Sequence, residues 1–285
     1  MEAFMDMWYR PVHPGRLRRF EQAFVISFLY YMAERFRYAG EWLTAEGFHL
    51  TAATKSWYHV TPFPLLADWM VPVFGGILFG CGLSVIFGWQ RRLCTTVLLI
   101  CAVYAQNVDL VSAFTLNKFY ILVFAVLAAQ PPADEYEAPD GRRVLRQSGW
   151  ALRTLQATLI ISYFGAGICK VAYGDWLVHS DVLWTHVQGV YRTDIAAWML
   201  RVLPKWAWTV QMLAALAFET VGPFLFFFRR TRPLVIVWGI LFHVLIAVTM
   251  HQLIYFSLQL MIFYILFIPE DKLFLREADG RLAAA

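Results

Sequence analysis

Apolar residues run along this chain in long blocks broken by short polar stretches, not in strict alternation. A helix needs roughly 17–25 mainly apolar residues to cross the hydrocarbon of a bilayer. Eight blocks approach that length: 20–37, which also carries Glu21, Glu34 and Arg35, then 65–87, 93–114, 116–130, 152–173, 206–228, 233–250 and 253–268. The pattern predicts an all-α fold, a polytopic integral-membrane bundle of about eight helices filling 19–269 of a single domain, 1–285. The third and fourth blocks nearly abut, as do the seventh and eighth, so tight turns join antiparallel neighbours there.

The polar stretches set an orientation. With the N-terminus cytoplasmic, one side collects Arg10, Arg16, Arg18 and Arg19, then Arg91 and Arg92, Arg142, Arg143, Arg146 and Arg153, Arg229, Arg230 and Arg232, and finally Lys272, Arg276 and Arg281. That is most of the 24 Lys and Arg residues, and cytoplasmic loops carry such an excess. An even span count returns the C-terminus to the same side. The segment 131–147, opening Pro-Pro-Ala-Asp-Glu-Tyr-Glu, reads as a cytoplasmic linker and 270–285 as a cytoplasmic tail. On the other side lie a loop at 39–64 and a cap loop at 174–205. The latter and its edge hold Trp176, Trp184, Trp198 and Trp206, as an interfacial belt would, and it is long enough for short helices.

Composition agrees with lipid as the main solvent. Apolar residues make up 60% of the 285 and charged residues 15%, against roughly 45–50% and 25% in soluble domains. That excludes a soluble enzyme, a disordered tail and a disulfide scaffold. The net charge of +4 is topological, not a nucleic-acid footprint. Cys81, Cys94, Cys101 and Cys169 lie in apolar blocks without a CxxC pair and read as small core residues.

Ionisable groups inside apolar blocks are costly and point to function. Asp109 ends the third block; Asn117 and Lys118 open the fourth; Lys170 ends the fifth; Glu219 and His243 sit within the sixth and seventh. In the assigned orientation several share the outer half, where one polar cavity would satisfy most of them. Lys118 reads equally as a snorkelling lysine or as a partner of Asp109. His243 and His251 lack metal-ligand spacing, and no metal is predicted. Lys170 follows Gly165, Ala166 and Gly167, small residues that allow close helix approach and an adjacent pocket. A lysine amine stripped of water there could abstract a proton.

Ser162-Tyr163-Phe164-Gly165-Ala166-Gly167-Ile168-Cys169-Lys170, followed by Gly174-Asp175-Trp176-Leu177, resembles the Tyr-Phe-x-Ala-Gly-x-x-Lys…Asp-Trp segment of vitamin K-dependent γ-carboxylases. Gln156, Arg230-Thr231-Arg232 with Phe242-His243, and Glu41 to Phe48 extend the similarity. The chain resembles their membrane part, the HTTM domain, which many bacterial proteins share. The resemblance implies that Lys170 is the base that deprotonates reduced vitamin K or another quinol, with Lys118, Glu219 and His243 in support. It implies that Asn117, Asp109, Trp176 and Tyr163 line the substrate site. It also implies a peptide substrate or a membrane partner protein, with the lipid bilayer as surroundings, in a bacterial inner membrane. The family has histidine where Lys118 stands and asparagine where Ile246 stands. A scaffold, immunity or peptide-maturation partner with a polar cavity is the alternative.

Overall fold

Polar punctuation sets the helix ends in the computed structural model, which describes residues 2–49, 63–109, 114–137 and 143–269. The chain divides into two compact units, one within Met1–Ala151 and the other within Leu152–Arg276.

The first unit runs α1 (Glu2–Tyr9), α2 (Gly15–Phe36), α3 (Ala39–Leu43), a 3-10 turn at Asp68–Met70 leading into α4 (Val71–Phe87), α5 (Arg91–Val108) and α6 (Thr115–Ala129). Helix α4 stops at Gly88, whose φ of 90° is costly for residues with a Cβ. Arg18 then caps it, donating to the carbonyls of Val85 and Ile86 at 2.7 and 3.0 Å. This satisfies backbone acceptors that a helix end leaves open. On α2, Phe20, Phe24 and Phe28 recur every four residues and so form one stripe. All three are buried. Phe24 and Phe28 meet Tyr120 and Phe124 of α6 edge-on, with centroids 4.8 to 6.0 Å apart, a favoured geometry for aromatic pairs. Glu21 is buried at 1% exposure yet carries two ion pairs, to Arg18 at 2.7 Å and Arg91 at 3.0 Å.

The stretch expected to be a plain linker forms an antiparallel hairpin, β1 (Asp134–Glu137) with β2 (Arg143–Arg146). Asp134 faces Arg146 across the ladder, a pairing of opposite charge that favours this register. Beyond it, Val12 and Gln147 exchange both backbone hydrogen bonds, at 2.9 and 3.0 Å.

The second unit is built on α7 (Trp150–Tyr173), whose first two residues lie before the division, α8 (Val182–Val187), α9 (Asp194–Val202), α10 (Lys205–Leu225), α11 (Arg232–Thr249) and α12 (Ile254–Ile262). The 174–205 loop contains the short helices α8 and α9. Thr193 starts α9 by accepting a hydrogen bond from the Ala196 amide at 3.0 Å and donates to Val248 at 2.6 Å. A bridge between Arg192 and Met250 and an apolar cluster around Val187, Ala196 and Trp208 hold the loop against α10 and α11.

Chain composition and helix content make the fold all-α apart from the hairpin. Among the described residues, three helical stretches are long and apolar enough to cross a membrane by length and composition: Asp68–Phe87, Trp150–Tyr173 and Arg232–Thr249. The other expected blocks fall short of that standard. The fourth is a 15-residue helix. The eighth splits into 3-10 turns at His251–Leu253 and Phe263–Phe267 around α12. The third stops at Val108, with Asp109 as its cap. Cysteine placement also differs from the sequence reading. Cys94 and Cys101 are buried, but Cys169 is exposed on α7.

Candidate functional site

Helix α7 carries Tyr163 and Lys170 seven residues apart, two turns along one face. Gly167 stands between them at the α7–α10 contact. A Cβ there would lie 2.8 Å from Thr220 Cγ2 and 2.9 Å from the Glu219 carbonyl carbon. Only a glycine lets the two backbones come this close. Gly165, in the same motif, has nothing within 4 Å of its Cβ position, so close approach rests on one of the two glycines.

That contact places Glu219 beside Lys170. Lys170 Nζ donates to Glu219 Oε2 in an ion pair. The Lys170 side chain is 27% exposed and that of Glu219 only 7%, so one end of the pair opens outward and the other is sealed among helices. Trp176 lies over the amine, its ring centroid 4.8 Å from Nζ, within cation–π range. An ammonium, a carboxylate and an aromatic face thus meet at one point. Such a trio can hold a hydroxyl group, exchange a proton with it and stabilise the oxyanion that results.

A second polar group lies deeper in the same unit. The Tyr163 hydroxyl is 2.6 Å from His243 Nε2 and 2.8 Å from the Tyr264 hydroxyl. His243 is fully buried, and its Nδ1 has no hydrogen-bond partner. Phe218 packs edge-on against Tyr163 at 5.0 Å. Gln156 does not reach this group. It bridges Arg153, at 3.0 Å, to the Leu266 carbonyl, at 2.6 Å.

The remaining candidates fall in the first unit. Asp109 pairs with Arg35 at 2.5 Å, both side chains nearly closed to solvent. The Arg35 guanidinium sits 4.1 Å from the Trp42 ring centroid and 5.8 Å from that of Tyr31. Asn117 lies close enough to Tyr31 to act on its hydroxyl. Lys118 is exposed. Thus Lys170, Glu219 and Trp176 come together, Tyr163 joins His243, and Asp109 and Asn117 gather around Arg35 and Tyr31.

Four participants had no site role in the sequence reading: Tyr31, Arg35, Trp42 and Tyr264. Arg35 counted only as a polar break in the first apolar block. The signal was there in Asp109, because a carboxylate in an apolar helix calls for a cation, and Arg35 stands at the far end of its own block. Tyr264 had no comparable mark. Among the described residues no three His, Cys, Asp or Glu side chains gather as a metal site.

A family model described as HTTM domain matches residues 9–271. No curated protein and no solved structure matches the chain. The match covers nearly the whole sequence and agrees with the apolar helices, so this membrane-associated chain belongs to the HTTM domain family.

Proposed function

We propose that the protein is a multi-pass membrane protein of eight spans that handles a proton at the Lys170–Glu219 pair. Both termini face the cytoplasm of a bacterial cell, across its inner membrane. The observation that carries this reading is the pairing of a partly open lysine with a sealed carboxylate under Trp176.

In this reading Lys170 is not itself the base. A lysine bound to a carboxylate in an apolar setting keeps its proton, because removal would leave Glu219 charged and uncompensated. Glu219 is then the proton acceptor, and the Lys170 ammonium stabilises the oxyanion left on the substrate. The proton passes from the substrate hydroxyl to Glu219 Oε, and no other bond changes. The donor set fits a planar, hydroxylated ring: Trp176 offers a face for stacking, and the pair offers one acceptor and one cation. Reduced vitamin K or another quinol has that shape, and its oxidation by molecular oxygen would drive a carboxylase-like reaction on a peptide. Lys170 and Glu219 would bind its hydroxyl, with Trp176 against the ring. Tyr163 and His243 would position α7 and α11 behind them.

The test is binding of a reduced menaquinone to the purified chain in lipid nanodiscs, read by quenching of tryptophan fluorescence. Saturable binding that is lost in Lys170→Ala and Glu219→Gln and partly kept in Lys170→Arg is the expected result. A folded wild type that binds no quinol overturns the enzyme reading.

A second reading draws on the internal pairing of charges. Glu21 is matched by Arg18 and Arg91, Asp109 by Arg35, and Glu219 by Lys170. Such pairs can hold helices together without any substrate. A scaffold, immunity or peptide-maturation partner would keep all of them and show no turnover. Under that reading Lys170→Ala lowers stability or partner assembly and removes no activity.

A further inference from the structure

At the end of the second unit opposite the Lys170 pair, three arginines lie within electrostatic reach of one another, with no counter-charge among the described residues of that unit. Arg153 lies in the first turn of α7 and Arg232 begins α11. Arg229 lies in the turn between α10 and α11. A chain of contacts draws them together. Arg232 Nε donates to the Phe226 carbonyl at 2.7 Å, and the Phe226 ring packs 4.4 Å from that of Phe267. The neighbouring Leu266 carbonyl accepts from Gln156 at 2.6 Å, and Gln156 accepts from Arg153 at 3.0 Å. Arg232 accordingly feels the like charges of both Arg229 and Arg153.

No described carboxylate of this unit balances them. The acids described in this unit are Asp175, Asp181 and Asp194, all in the segment after the far end of α7, and Glu219, which is paired with Lys170. Arg153 Nε is buried without a hydrogen-bond partner. The N-terminal ends of α7 and α11 add partial positive charge to the same place. Gathering like charge at two positive helix ends is unfavourable unless an anion occupies the site. Guanidinium forks match the oxygens of a phosphate group in pairs.

We propose that Arg153, Arg229 and Arg232 form a binding site for a phosphate group, supplied by the headgroup of an anionic phospholipid. The site is separate from the Lys170–Glu219 pair and does not depend on what that pair does. Tight rather than passing lipid contact follows, because two of the three arginines are half-buried and held in place by backbone and glutamine partners. Basic pockets between helices at a membrane face take such headgroups.

The full chain in phosphatidylcholine nanodiscs, titrated with fluorescent phosphatidylglycerol, tests the site, with inorganic phosphate as competitor. One arginine near a lipid surface contributes about 1 kcal/mol, or about five-fold in affinity. Arg229→Gln, which removes no observed hydrogen bond, should weaken binding about five-fold, and Arg153→Gln/Arg232→Gln by an order of magnitude or more. Arg201→Gln, at the end of α9, should leave it unchanged. Equal binding by all variants would overturn the site as an arginine cluster. Inorganic phosphate that competes at matched concentration would keep the phosphate chemistry but overturn the lipid as its source. Absent lipid binding in the wild type, together with binding in Glu270→Gln/Asp271→Asn, would give the site to the chain's own acids and overturn the proposal. Because Arg229→Gln leaves both helix caps intact, a folding failure of the double variant does not decide the question.

Discussion

Tyr163 and His243 share a 2.6 Å hydrogen bond inside the second unit, and the same hydroxyl reaches Tyr264 at 2.8 Å. One oxygen thus links three helical segments, α7, α11 and the 3-10 turn Phe263–Phe267. Tyr163→Phe removes that oxygen and leaves a buried imidazole with no partner on either nitrogen. The expected loss is about 1–3 kcal/mol, read as a lower unfolding midpoint in nanodiscs. Tyr163→Phe/His243→Leu should cost less than the sum of the two single changes. Strict additivity would show that the bond carries no coupling.

The Lys170–Glu219 pair predicts that neither partner can be removed alone without cost. Glu219→Ala leaves an ammonium facing a closed apolar wall, whereas Lys170→Ala leaves a carboxylate sealed with no cation. Each should destabilise by about 2 kcal/mol, less than the 3–5 of a fully buried pair, because part of Lys170 reaches solvent. Lys170→Met/Glu219→Leu should recover most of that loss. A double variant no more stable than the singles would argue against a mutual pairing.

Two neighbouring glycines give opposite forecasts. Gly167→Ala forces a Cβ into the Glu219–Thr220 backbone, so about 1–3 kcal/mol is lost and the α7–α10 contact widens. Gly165→Ala meets empty space and should be neutral or slightly stabilising, since alanine favours a helix by about 1 kcal/mol. Matched unfolding scans of the two variants decide it. Equal effects would contradict the close approach at Gly167.

Arg35 tests the polar group of the first unit. Its guanidinium both pairs with Asp109 and lies on Trp42. Arg35→Lys keeps the charge but loses the planar stack and the fork, which are not interchangeable with an ammonium. A loss of about 1–2 kcal/mol is expected, and Asp109→Asn should cost more, because it strands the arginine. An Arg35→Lys protein as stable as wild type would remove the stacking contribution.

Much of the helical layout was legible because apolar blocks end at polar residues. The block 152–173 became Trp150–Tyr173, and 233–250 became Arg232–Thr249. The breaks in the eighth block were not legible, since Phe263–Phe267 is as apolar as its neighbours and nothing in it marks a change of winding. The hairpin hid behind its charges: Asp134 and Arg146 read as solvated residues, not as cross-strand partners. For the candidate site, the sequence showed that Lys170, Glu219 and Asp109 each need a partner, but not which one. Glu219 is 49 residues from Lys170, and the close approach of α10 at Gly167 brings it there. The same approach separates the two glycines of one motif, which by spacing alone looked equivalent.

The paired backbone bonds between Val12 and Gln147 carry a consequence for biosynthesis. The ribosome releases Val12 first, but its partner emerges only after α2 through α6 and both hairpin strands have been made. Until then the leading segment has no strand to join. Its docking therefore waits until about half of the 285 residues have been made, and a nascent chain halted before Gln147 would keep that segment open to proteases.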